Sequence, residues 1–188
     1  MAIPDYQSLM LPVLRIAAEG ETRVPTVAQI IADQLGLTDE EREELLPSGK
    51  QRLLHNRVHW AKFYMSKAGL VDSPKRGVFV ASPAGKMLLD SKPESIGVET
   101  LKSFPAFAEF YGQTEASTDP EHTAAAVAAA NSGVTPEEQI EGAQAILMTA
   151  LKSDLLQRVL EQSPAFFEHL IVELLVAMGY GGSHEDAA

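Results

Sequence analysis

Residues 50–70 read KQRLLHNRVHWAKFYMSKAGL, and this stretch decides the fold. At 100° per residue, its apolar side chains form one stripe on a helix: Leu54, Val58, Ala61, Met65 and Ala68. The opposite face is mostly polar and basic: Arg52, His55, Asn56, His59, Lys62, Phe63, Ser66 and Lys67. Gly69 follows as a helix terminator. The pattern predicts a helix that buries one side and exposes a cationic one.

A short hairpin with a basic tip is expected directly after this helix. Residues 73–77 read SPKRG, a turn sequence that carries Lys75 and Arg76. Val78, Phe79 and Val80 follow, with the β-branched and aromatic content that a returning strand prefers. The hairpin therefore places two cations at an exposed turn.

Upstream, the apolar spacing predicts two further helices, over residues 5–19 and from Thr26 to about Leu35. A short extended piece, residues 22–25, lies between them, and the acidic residues 39–44 form a solvated helix capped by Thr38. The order is helix, short strand, helix, long basic helix and hairpin. This is the order of a winged helix, a helix-turn-helix variant whose third helix enters the major groove of DNA.

The charge is unevenly distributed along the chain. The net charge is −11, yet residues 1–90 hold 11 basic and 11 acidic side chains, and residues 91–188 hold 4 basic and 15 acidic ones. Between Leu45 and Lys86 there are eight basic residues and one acid, Asp72. A local excess of positive charge in an acidic protein is expected where DNA phosphates bind.

The residues of this segment have different expected roles. Arg52 and Asn56 suit bidentate contacts to guanine and adenine, and His55 and His59 share their face. Contacts to phosphates are expected from Lys50, Lys62, Lys67, Lys75 and Arg76. Packing is expected of Arg57, Trp60 and Tyr64, and Phe63 either contacts a thymine methyl or packs beneath the acidic segment. The alternative is an ordinary amphipathic helix with a cationic solvent face.

Other classes of site lack support in the sequence. His55 and His59 have the spacing of helical metal ligands but no third ligand, so no metal site is expected. No catalytic nucleophile or glycine-rich phosphate loop is apparent, and no catalytic residue is assigned. The chain has no cysteine, signal peptide or apolar run of about 18 residues, so a cytoplasmic protein without a membrane span is expected.

The second half is predicted to be helical around a linker. Residues 91–112 suggest a helical connector, and residues 113–134 an Ala/Ser/Thr linker. Thr135-Pro-Glu-Glu is a strong helix start, with periodicity to about Glu161 and a break near Ser153-Asp154. A last apolar helix runs from Ser163 to Gly179. We therefore predict three parts, residues 1–90, 91–134 and 135–188.

Several of these segments resemble the Mrr-type restriction endonucleases. The residues that carry the resemblance lie at both ends of the chain: Ile3-Pro-Asp-Tyr6, Pro47-Ser-Gly-Lys-Gln-Arg52, Asn56-Arg-Val-His-Trp-Ala61, Lys67-Ala-Gly-Leu70, Arg76-Gly-Val-Phe79, Thr135-Pro-Glu-Glu138 and Phe167-Glu through Tyr180-Gly181. The resemblance implies a winged-helix domain followed by the first helices of a PD-(D/E)xK nuclease domain. It also implies binding of double-stranded, often modified, DNA and cleavage with Mg²⁺.

The resemblance leaves this chain without the family's catalytic strands. Glu168 matches a helix glutamate of the family, but no lysine follows Lys152. We therefore expect an incomplete or degenerate copy that binds DNA, needs no cofactor itself and does not cleave. The alternatives are a winged-helix transcriptional regulator whose acidic half dimerises or binds an effector, and a winged helix used only for protein contacts. A homodimer is compatible with the incomplete DNA-binding copy and with the transcriptional regulator.

Overall fold

A computed structural model of the chain describes residues 3–116 and 133–180. The chain divides into two compact units, residues 1–142 and residues 143–188. The predicted linker, residues 113–134, lies mostly outside the described residues. The helices of the described part are α1 Met10–Glu19, α2 Val24–Leu35, α3 Asp39–Arg42, α4 Leu53–Lys67, α5 Pro83–Asp90, α6 Val98–Lys102, α7 Pro105–Ala116, α8 Pro136–Leu160 and α9 Pro164–Ala177. The strands are β1 Val71–Lys75 and β2 Val78–Ala81, so the predicted mainly helical fold with one hairpin is confirmed.

The first two helices differ from their predicted starts. A turn precedes α1, and the Asp5 carboxylate accepts the backbone N–H groups of Gln7 and Ser8 there, at 2.9 and 3.1 Å. The predicted extended piece at residues 22–25 is wrong beyond Arg23, since α2 already begins at Val24. Pro25 causes this, because its fixed φ suits the first turn of a helix.

Helix α4 lies at the centre of the first unit, and its apolar stripe is buried as predicted. Val58, Ala61 and Met65 have no exposed surface, and α4 packs against both α1 and α2. Burying an aliphatic side chain of this size stabilises a fold by about 1.5–3 kcal/mol. The stripe therefore fixes which face of α4 remains outside.

The hairpin is joined to the helices by backbone contacts. Strands β1 and β2 are antiparallel, with Val71 opposite Ala81, and Thr22 forms a bridge to Phe79 on the other edge of β2. Helix α5 comes so close that a Cβ added to Gly85 would lie 2.2 Å from the carbonyl oxygen of Leu70. The first contact joins the hairpin to the segment before α2, and the second places α5 directly against the backbone at the start of the hairpin.

The residues after position 90 complete the same core. Ile96, Val98, Leu101 and Phe107 are buried in one cluster with the residues of α1 and α4. Phe107 also contacts the ring of Tyr64, at 5.9 Å between centroids. The segment predicted as a connector thus packs on the domain that precedes it.

The second unit contains the later part of α8 and helix α9. The break predicted near Ser153-Asp154 is wrong, since α8 is continuous there. Asp154 and Arg158 form a 2.9 Å ion pair along this helix. Helix α9 begins directly after Ser163, as predicted, and the Ser163 hydroxyl caps it by accepting the N–H of Phe166 at 3.3 Å. Within the described residues, no helix has the length and apolarity to cross a membrane.

Candidate nucleic-acid interface

The outer face of α4 carries a row of polar and basic side chains. Arg52, His55, His59 and Lys62 follow one another at helical spacing, so they project from the same side. Arg52 and His59 are exposed, and His55 and Lys62 are half-buried. Four of the predicted contact residues are therefore brought together on one accessible surface, which we call the α4 face.

Arg52 is held by an acid at the start of this face. Its guanidinium lies 2.7 Å from the Glu43 carboxylate, and both side chains are substantially exposed. Burial, followed by the nearby Arg52 charge, lowers the pKa of His55, while Glu43 opposes this shift. His55 is consequently a neutral hydrogen-bonding group near neutral pH, able to accept as well as donate.

Asn56 does not lie on the exposed face, and that prediction is wrong. The side chain is fully buried, and its Oδ1 accepts the Thr135 hydroxyl at 2.7 Å. Its Nδ2 donates to Glu137 and, at 3.4 Å, to Gln51. The first turn of α8 covers Asn56, a long-range contact that no helical periodicity contains. In this conformation the amide cannot reach an adenine.

Arg57 is a packing residue, as predicted. Its Nη2 and Nε donate to the two carboxylate oxygens of Glu138, at 2.7 and 3.3 Å, and its Nη1 donates to the carbonyl oxygens of Ile3 and Pro4. The two side chains of the ion pair are only 15% and 11% exposed. Arg57 therefore subtracts one charge from the predicted positive surface and joins three segments of the chain.

The start of α8 is the capping box that the sequence predicts. Thr135 Oγ1 accepts the N–H of Glu138 at 3.2 Å, and the Glu138 carboxylate accepts the N–H of Thr135 at 3.0 Å. Burial alone would raise the pKa of Glu138, but hydrogen bonds from Arg57 and Thr135 outweigh it and lower the pKa. Glu138 is thus a stable anion beside α4.

Lys67 and Phe63 belong to an aromatic cluster at the other end of α4. The Lys67 ammonium lies 5.3 Å from the Phe63 ring centroid and 5.0 Å from that of Phe110. Phe63 also contacts Trp60 and Phe110 edge to face. The sequence predicted that Phe63 contacts a thymine methyl or packs beneath the acidic segment. In the structure Phe63 instead packs against Phe110 of α7. The exposed Lys67 ammonium is engaged by these two rings.

The hairpin presents its cations as the sequence predicts. Lys75 and Arg76 are exposed, and Gly77 takes a φ of 74° at the turn. Lys75 forms a 3.3 Å ion pair with Glu21, an exposed contact that solvent weakens. Since β1 packs on α4, the tip and the helix belong to one body.

Lys50 lies in the turn before α4, where sequence reasoning missed a further contact. The neighbouring Ser48 donates its N–H and its hydroxyl to the Glu141 carboxylate, at 2.8 and 2.7 Å. These residues are 93 positions apart, so no local pattern could indicate the pair. Lys50, Lys62 and Arg76 have no ion pair within the described residues.

A metal centre finds no support in this part of the molecule. Across residues 3–116 and 133–180, no three His, Asp or Glu side chains are grouped to hold an ion. Glu168 lies exposed on α9. The chemistry available at the α4 face is therefore hydrogen bonding and charge.

Comparison with known proteins identifies relatives by sequence. Residues 6–91 match the Mrr N-terminal domain. The chain is 30% identical to the type IV methyl-directed restriction enzyme EcoKMrr of Escherichia coli strain K12, over 201 aligned residues covering 99% of the chain. The alignment spans 62% of that relative's length. No solved structure matches significantly.

Proposed function

Since residues 6–91 belong to the Mrr N-terminal domain family, we propose that they form a winged helix that binds double-stranded DNA for an Mrr-type restriction protein. The observation that carries the proposal is the α4 face next to the basic hairpin. Helix α4 buries its apolar stripe and leaves Arg52, His59 and Lys62 toward the outside. A helix with this exposure fits the major groove, and the hairpin fits the adjacent backbone.

The contacts divide into those that position the chain and those that read bases. We assign Lys50, Lys62, Lys75 and Arg76 to phosphates, because their charges are exposed or weakly paired. Arg52 can contact guanine once its ion pair with Glu43 breaks. This exchange is favoured because both side chains are exposed. Because Asn56 is buried, we assign base contacts to His55 and His59 instead.

Fluorescence anisotropy with a labelled duplex tests this proposal. A protein that uses several phosphate contacts shows a steep fall of log K with log salt, at a slope of about −0.9 per phosphate. We expect Lys62→Glu and Arg76→Glu each to weaken binding and flatten that slope by about 1. Lys152→Glu, an exposed residue of the second unit, makes the same charge change and should leave binding unchanged. Equal effects of all three substitutions would refute the assignment.

The DNA class and the cleavage step rest on the relative rather than on the described residues. Because the relative is named methyl-directed, we propose that this chain prefers methylated over unmethylated duplex of the same sequence. Cleavage with Mg²⁺ is implied only by the Mrr-type resemblance, and we propose that this chain binds DNA without cutting it, so that supercoiled plasmid stays intact in the presence of Mg²⁺. Nicking that EDTA abolishes and that persists in Glu168→Ala would contradict this. Homodimer formation stays a prediction.

A further inference from the structure

Four carboxylates surround the N-terminal end of α4, and each holds a group there. The pairs are Glu43 with Arg52, Glu137 with Asn56, Glu138 with Arg57, and Glu141 with Ser48. The N-terminal residues of a recognition helix are the ones that contact base edges. The end of α4 best placed for DNA is therefore the end where this acidic chain concentrates negative charge.

Three of these carboxylates come from the first two turns of one helix, α8. Glu138 is nearly buried with Arg57 and anchors the helix. Glu141 is different, because its partner Ser48 is exposed in the turn that also carries Lys50. The anchored pair can thus stay in place while the Glu141 carboxylate exchanges with solvent or a ligand.

The contact at Ser48 has the chemistry of a phosphate site. A backbone N–H and a serine hydroxyl converge on one anionic group, at 2.8 and 2.7 Å. Both donor types are common ligands of DNA phosphate oxygens, and a lysine two residues away adds positive charge. The carboxylate of Glu141 occupies these donors in the free chain.

We propose that Ser48 binds a DNA backbone phosphate and that Glu141 is an internal competitor for this site. This inference rests on the proposed DNA-binding function and adds an autoinhibitory contact that lowers the affinity for DNA. In the free chain the Glu141 carboxylate fills the site, and bound duplex replaces it with a phosphate oxygen. The adjacent charge of Glu137 repels phosphates from the same end of α4.

Removing the competitor should strengthen binding. Because two charge-assisted hydrogen bonds no longer have to be broken, Glu141→Ala should bind duplex roughly 5- to 10-fold more tightly than the unmodified chain. Glu161→Ala, an exposed glutamate just beyond α8, removes the same charge and should change affinity less than 2-fold. Glu141→Gln keeps the side-chain length and should give an intermediate gain.

The site itself is tested by a double substitution. In a Ser48→Ala background the hydroxyl is lost to both competitor and phosphate, so the gain from Glu141→Ala should fall to about half or less. Circular dichroism melts verify that each variant is folded.

Two outcomes separate this inference from the function beneath it. Equal affinities and salt slopes for Glu141→Ala and Glu161→Ala would refute the proposal that Glu141 competes for the phosphate site. The proposed DNA-binding function would be unaffected by that result. Absence of duplex binding at low salt in every variant would refute the proposed function, and the competitor with it.

Discussion

The replacement of Arg57 by methionine should cost the first unit much of its stability. Methionine replaces the apolar stem of the side chain but lacks the guanidinium, which leaves the Glu138 carboxylate, 11% exposed, without its counter-charge. The carbonyl oxygens of Ile3 and Pro4 lose their donors as well. Breaking a buried ion pair by removing one partner typically costs about 3–5 kcal/mol, and we expect Arg57→Met to fall in that range at pH 7.

Urea unfolding followed by circular dichroism measures this loss. With a denaturant slope of about 2 kcal/mol per molar, the midpoint should fall by roughly 1.5–2.5 M. Arg52→Met is the matched control, because its ion pair with Glu43 is largely exposed and should contribute under about 1 kcal/mol. A similar small loss for both variants would show that the Arg57 pair is not anchored as described.

The pH dependence of the Arg57 effect provides a second check. Since the folded state lowers the pKa of Glu138, its contribution is present above the unfolded value of about 4.5 and is lost as the pH falls through the lower folded value. In Arg57→Met the carboxylate is instead relieved by protonation. The difference in free energy of unfolding between the two proteins should therefore shrink toward low pH, and a constant difference from pH 7 to pH 3.5 would contradict the assignment.

Two further predictions concern α5 and α4. Gly85→Ala should lower the free energy of unfolding by about 1–3 kcal/mol, because the added Cβ meets a backbone carbonyl at 2.2 Å. Gly142 in α8 has open space around it, so Gly142→Ala should raise the free energy of unfolding by about 0.5–1 kcal/mol in the same denaturation assay. The lowered pKa of His55 means that its contribution is full above about 6.5 and is lost as the pH falls below that value. His55→Gln should therefore flatten the decline of stability between pH 7 and pH 5 relative to the unmodified chain. An identical decline in the two proteins would refute the burial effect.

Local periodicity was sufficient for most of the fold. The apolar stripe of α4, the basic hairpin and the capping box at Thr135 are each written within a few consecutive turns of chain, and the structure confirms all three. The same local logic failed where a helix start depended on Pro25 and where Ser153-Asp154 suggested a break that α8 does not have. Those are boundary questions, which flanking residues settle only weakly.

The candidate interface depended on contacts that cross the chain. Asn56 and Arg57 occupy neighbouring positions on α4, and the sequence placed Asn56 on the exposed face as a DNA contact and Arg57 among the packing residues. The structure buries Asn56 and nearly buries Arg57, because α8 returns to them from about 80 positions away. A contact of that separation leaves no local trace in a single sequence.

The sequence by itself therefore determined the order of helices and hairpin, the family resemblance and the concentration of positive charge between Leu45 and Lys86. These depend on periodicity, turn chemistry and composition, which act over short stretches. Only the tertiary structure decided which charges are available, since Glu43, Glu138 and Glu141 neutralise or occupy the start of α4 from other segments. Electrostatic pairing depends on distance in space, and only the packed chain sets that distance.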